Sequence, residues 1–146
     1  MSQLAMELIL ARKLAEALAV AVLITDARGD TLYYNAAAGR ILGRPWEEVD
    51  ALPFEARTRL LAPLRADGSP LPADELPGVS AMRQRRPAYV AFYMHDIEGH
   101  MRAIETTAIP LESSHGHVVG AFVVAWTPTA GDFGTPPHAP DTSQER

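Results

Sequence analysis

Apolar residues recur at Leu4, Leu8, Ala11, Ala15 and Leu18, in alternating steps of four and three that mark one face of an amphipathic helix. Met6, Leu10, Leu14 and Ala17 widen that face beyond what a lone surface helix needs. It therefore calls for cover, either from the same domain or from a second copy, because about two heptads do not hold a coiled coil by themselves. Val20 to Asp26 is β-branched or apolar, Arg28-Gly29-Asp30 is turn chemistry, and Thr31 to Tyr34 is again strand-like, which together predict a hairpin. Asn35 precedes Ala36 to Leu42, where its side chain can accept a free N–H of the first helical turn, and Gly43 supplies a left-handed stop. Pro45 opens another helical turn with Trp46, Glu47, Glu48 and Val49, and Arg57 to Leu64 makes a further short helix.

Asp67-Gly68-Ser69-Pro70-Leu71-Pro72 is a turn-rich connection, and Pro77 to Arg85 reads as a helix with Val79 and Met82 on one side. The period then changes to two. Pro87 to His95, Met101 to Pro110 and Val118 to Thr127 are strands joined by Glu98-Gly99 and by Glu112 to His117, an antiparallel meander. From Pro128 onward Pro, Gly, Thr and Asp dominate and Phe133 is the one large apolar residue, so residues 128–146 are expected to be a disordered tail. The expected division is a helix over 1–18, one folded domain over 19–127 and that tail.

Composition narrows the function classes. A chain of 146 residues suits one domain, and 47% hydrophobic with 21% charged residues is ordinary for a globular protein. A net charge of -5 offers no basic footprint for phosphate backbones, which argues against nucleic acid as a partner. Absence of cysteine removes disulfides, thiolate nucleophiles and thiolate-held metals. The longest apolar run, Ala17 to Ile24, is far short of the roughly 20 residues a bilayer needs, and no signal peptide is legible, so a cytoplasmic protein with no membrane partner is expected.

The order helix, two strands, several short helices, three strands resembles the PAS family over about Ala17 to Thr127. The motifs that carry the resemblance are Ile24-Thr25-Asp26-Ala27-Arg28-Gly29, Tyr33-Tyr34-Asn35, the helix Ala36 to Gly43, Asp67-Gly68-Ser69-Pro70-Leu71-Pro72, the hairpin Glu98-Gly99, Ala108-Ile109-Pro110-Leu111 and Val118-Val119-Gly120. It implies an α+β fold: a five-stranded antiparallel sheet with short helices on one face, here preceded by the amphipathic helix. One departure matters: Ala125-Trp126-Thr127 stands where members that drive a kinase or cyclase close with an Asp-Ile-Thr type triplet.

The resemblance also implies a pocket between the central helices and the sheet, and a sensory or regulatory module that binds a small apolar ligand or planar cofactor non-covalently and signals through a homodimer or a partner protein. The candidate lining is Tyr34, Leu42, Trp46, Phe54, Leu64, Met82, Phe92, Met94, Ile104 and Thr106, and the candidate dimer face is Leu4, Leu8, Ala11, Ala15 and Leu18. No cofactor can be named. Flavin and coumarate photocycles need a cysteine, the helix Pro77 to Arg85 lacks the histidine that haem members use, and non-covalent flavin stays open. His115 and His117 are the nearest approach to a metal-ligand pair, although two histidines in a turn usually make only a polar turn.

Both faces of Ala88 to Met94 are apolar, so Ala88, Val90, Phe92 and Met94 are expected to line the pocket and Tyr89, Ala91 and Tyr93 to be sheltered by the first helix or a second subunit. Arg102 and Glu105 read as outward charges. No set of nucleophile, base and orienting group can be assembled, which disfavours an enzyme. A ligand-free interaction module and a small enzyme or carrier are the alternatives.

Overall fold

The computed structural model describes residues 5–128. Helix α1 (Met6–Ala17) leads into β1 (Ala21–Asp26) and β2 (Thr31–Tyr34); α2 (Ala36–Leu42), α3 (Phe54–Leu61) and α4 (Pro77–Gln84) follow, and β3 (Ala88–His95), β4 (Met101–Glu112) and β5 (Val118–Trp126) come last. All five strands make one antiparallel sheet in the order β2-β1-β5-β4-β3, so the last strand lies between the first hairpin and the meander. The two-residue strand period divides its faces. Ala21 and Leu23 pack toward the short helices, and Val22 and Ile24 meet Leu8, Ala11 and Ala15 of α1.

The three hairpins use one turn design. In Asp26–Asp30, Asp96–His100 and Ser113–His117, the first residue's N–H donates to the fifth residue's carbonyl, and the fourth residue, a glycine at positive φ, donates back to the first carbonyl. The first residue's side-chain oxygen also accepts from the third and fifth N–H groups. This is a type I turn closed by a left-handed glycine, which matches the twist of the flanking strands. Asp96 is buried, its side chain only 2% exposed, and its other oxygen takes Arg102 Nε at 3.1 Å. A different glycine is fixed by proximity: a Cβ on Gly120 would lie 2.0 Å from the Thr25 carbonyl oxygen of the adjacent strand.

Asn35 does more than cap α2. Its Oδ1 accepts from Ala38 N and Val22 N, both at 3.0 Å, and its Nδ2 donates to Ala15 O at 2.9 Å and Val20 O at 2.8 Å. One buried side chain thus ties the end of α1, the start of β1 and the start of α2 together.

Several positions differ from expectation for identifiable reasons. The third helix begins at Phe54, behind Pro53, and ends in left-handed Ala62 before Pro63, rather than spanning Arg57 to Leu64. Strand β4 passes through Pro110 to Glu112 because β3 pairing stops at Ala88 opposite Ala108, which leaves the proline on an open edge. Arg102 shares the face of Ile104 and Thr106 by the two-residue period; it is not an outward charge but reaches the buried Asp96. Helix α1 packs chiefly on β1 and β5, and Tyr89 of β3 is 59% exposed while Tyr93 is buried. Of the face assigned to a dimer, Leu8, Ala11 and Ala15 are buried against the domain's own sheet, Leu18 is half-buried beside them, and Leu4 lies outside the described residues. The expected tail, from residue 129 on, also lies outside them.

Asn35→Ala should lower the unfolding free energy by about 3 kcal/mol, since it strands N–H and C=O groups on three elements. Asn35→Asp should also destabilise, because it turns the donor to Ala15 O and Val20 O into an acceptor; stability equal to the parent in urea titration would contradict this account. Burial pushes the Asp96 carboxyl up, but the backbone N–H of His100 and the bond from Arg102 prevail and hold it below its ordinary range. Its contribution is therefore present above the ordinary carboxylate value of about 3.9 and is lost as pH falls through the lower folded value. Urea midpoints of the parent and Asp96→Asn should converge in that window.

Candidate functional site

Between the inner sheet face and helices α2 to α4 lies a cavity of about 120 Å³. Its space exists because Ala21, Ala38 and Ala125 stand where longer side chains would meet, while Ile41, Leu61, Leu76 and Val123 close the walls. From the candidate lining, the structure brings Leu42, Phe92, Met94, Ile104 and Thr106 to this cavity.

The other five candidates sit elsewhere. Tyr34 is fully buried, with its hydroxyl donating to Arg44 O at 2.6 Å, and Trp46 meets it edge-on at 5.3 Å between ring centres. Phe54 packs beneath Gly29 and carries the Arg57 guanidinium over its ring. Leu64 exchanges backbone hydrogen bonds with Tyr93, adding a rung to the free edge of β3. Met82 borders an outer recess with Ala27, Phe54, Val79 and Val118.

Four polar side chains reach the cavity wall, and three of them were not among the candidates: Thr25, Arg57 and Thr58. Thr25 donates to Asp26 O at 3.0 Å and Thr106 to Val90 O at 2.7 Å, so both hydroxyl protons are occupied. The Thr58 hydroxyl is buried and has no partner among the described residues. Arg57 Nη1 donates to Gly29 O and Thr31 Oγ1, each at 2.7 Å, which fixes the guanidinium against the β1–β2 turn. Burial lowers its pKa from the ordinary arginine value to about 10, against the opposing influence of Asp30 and Asp26, so it stays cationic at neutral pH. Arg57 and Thr58 precede Leu61 by four and three residues, the spacing that puts them on the inner face of α3 with it. That spacing was visible in the sequence, but nothing in it marked which face of so short a helix turns inward.

Among the described residues, none on the cavity wall carries a carboxylate, imidazole or thiol. His115 and His117 are exposed in the β4–β5 turn, and among the described residues no three metal-ligating side chains gather. His100 Nδ1 lies 3.5 Å from Asp96 Oδ2, which places it in the β3–β4 turn. No helix of the described residues is long and apolar enough to cross a membrane.

A buried hydroxyl without a partner costs stability, so Thr58→Val, which keeps the branched shape, should stabilise the ligand-free protein by about 1 kcal/mol. A loss of stability in chemical denaturation would mean that this hydroxyl has a partner after all.

Comparison with known proteins agrees with this architecture. No curated protein matches the sequence. Among solved structures, a PAS domain from Colwellia psychrerythraea superposes with a TM-score of 0.60 at 19% identity, covering 84% of this chain and 97% of that one. The PAS domain of Bordetella pertussis BvgS gives 0.55 at 17% identity, over 84% and 86% of the two chains. A Rhodobacter sphaeroides LOV protein gives 0.61 at 10% identity, over 86% and 69%. At these identities the likeness is one of fold, but the family described as PAS fold matches residues 15–131, most of the sequence. The chain belongs to the PAS fold family.

Proposed function

We propose that this PAS domain is a sensory module that binds a small, largely apolar molecule non-covalently between α2, α3, α4 and the sheet, and signals through a second copy or a partner protein. The observation that carries this reading is the apolar cavity of about 120 Å³ with an unpartnered hydroxyl on its wall. A dry engineered cavity of about 150 Å³ accepts benzene, so the occupant here is of that order, and a flavin or haem is larger than the space. A route outward exists: Ala38 and Leu42 of α2 line the cavity, and Asn35 at the head of α2 holds the end of α1. A ligand acts along that route only if it binds two arrangements of α2 unequally.

A second reading, an interaction module, is favoured by the apolar surface left uncovered. Met6, Leu10 and Leu14 of α1 are exposed, as are Ile109, Tyr89 and Trp126 on the sheet, where both aromatic side chains donate to Glu105. This outward face of α1, rather than its buried Leu8-Ala11-Ala15 face, is where a second copy would pack.

Native mass spectrometry with near-ultraviolet and visible absorption of untagged protein should show a colourless dimer that retains or accepts a small molecule. Benzene or a similar probe should raise the melting temperature of the parent, and Ala125→Leu, which adds three carbons at the cavity wall, should remove that response; an equal response in both proteins would place binding elsewhere. Light scattering should give twice the chain mass for the parent and one chain mass for Leu10→Glu combined with Leu14→Glu. A monomeric parent would sink the homodimer.

A further inference from the structure

The cavity has a polar end, and its chemistry selects a ligand class. We infer that the molecule bound here is a small apolar carboxylate, with its carboxyl group at Arg57 and Thr58 and its hydrocarbon body against β3 and β4. This rests on the proposed binding reading and deepens it.

Charge carries the first step. Among the described residues, Arg57 is the one ionisable residue on the cavity wall, and no carboxylate forms an ion pair with it. Its Nη1 is committed to Gly29 O and Thr31 Oγ1, while Nε and Nη2 donate to no protein group among the described residues. A desolvated guanidinium with two nitrogens unspent favours an anion, and a carboxylate fits it best because its two oxygens match the planar fork.

The Thr58 hydroxyl is the second and independent step. It is buried without a partner on the adjoining residue of α3 and can donate to the same anion. The remaining wall hydroxyls, on Thr25 and Thr106, already donate to backbone carbonyls. Topology then orients the ligand. Arg57 is anchored to the β1–β2 turn, whereas Phe92, Met94 and Ile104 belong to β3 and β4 at the other side of the sheet. The Arg57 guanidinium is thus held at the β2 side of the sheet, away from the apolar residues of β3 and β4, as an amphipathic monoanion requires. The volume limits the hydrocarbon part to roughly the size of benzene or a short branched chain.

The test uses 3-methylbutanoate and its neutral isostere 3-methylbutanamide, titrated into the parent protein by calorimetry and by ¹H–¹⁵N NMR. The acid should bind at least about tenfold more tightly than the amide, since a hydrogen bond to a charged group is worth more than a neutral one. Arg57→Gln should abolish that preference. Because Arg57 also braces the β1–β2 turn, Thr58→Val serves as the variant that keeps the fold, and it should weaken acid binding by about threefold. Amide binding equal to or tighter than acid binding overturns the carboxylate assignment while leaving the cavity a binding site. Failure of the acid, the amide and benzene alike to bind overturns both this assignment and the sensory reading.

Discussion

The N-terminal helix α1 and the cavity-lining helix α2 are both held to the sheet through one side chain, Asn35. Its side chain sits 4% exposed at the junction where α1 ends, β1 begins and α2 starts, and it satisfies backbone groups from all three with donors and acceptors assigned to opposite halves of one amide. No residue of similar size offers both halves with that geometry; aspartate lacks the donor and leucine lacks everything. Because α1 joins the domain through this amide at one end and through Leu8, Ala11 and Ala15 along its length, its position is set by the same residue that sets the start of a cavity-lining helix.

The inner sheet face has a different logic. Alanines at 21, 38 and 125 leave room that the surrounding Ile, Leu, Met and Phe side chains do not fill, so packing density is given up in one place. An unpartnered hydroxyl and a half-committed guanidinium border that same space. Natural proteins tend to keep such locally unfavourable features where a ligand relieves them.

Strands and caps were legible because each has a local cause. The β-branched run before Asp26, the Asn35 cap, the Gly43 stop and the alternating pattern of β3 to β5 need no tertiary information. The site was half legible. Phe92, Met94, Ile104 and Thr106 belong to strands whose period shows the inward side, and Leu42 is fixed by the Asn35 cap and Gly43 stop of its helix, whereas Phe54, Leu64 and Met82 lie in or beside short helices without a side-chain cap, where a shift of three residues rotates the wall. Arg57 and Thr58 were missed for the same reason, and because a charged residue in a short helix ordinarily faces water. The stripe Leu8-Ala11-Ala15 was visible, but periodicity reports that a face is covered and not by what.

The repeated five-residue turn has a practical corollary. At Asp26–Asp30 the glycine lies over Phe54, and at Asp96–His100 the first side chain is buried under Gly43, so both turns are built into the body of the domain. The Ser113–His117 turn has the same backbone bonds, yet nothing lies within 4 Å of where a Cβ on Gly116 would stand. That exposed corner, tied back through Arg85 to Gly116 O and Glu112 and contributing no residue to the cavity wall, is where a dye, an affinity tag or a fused domain can be grafted.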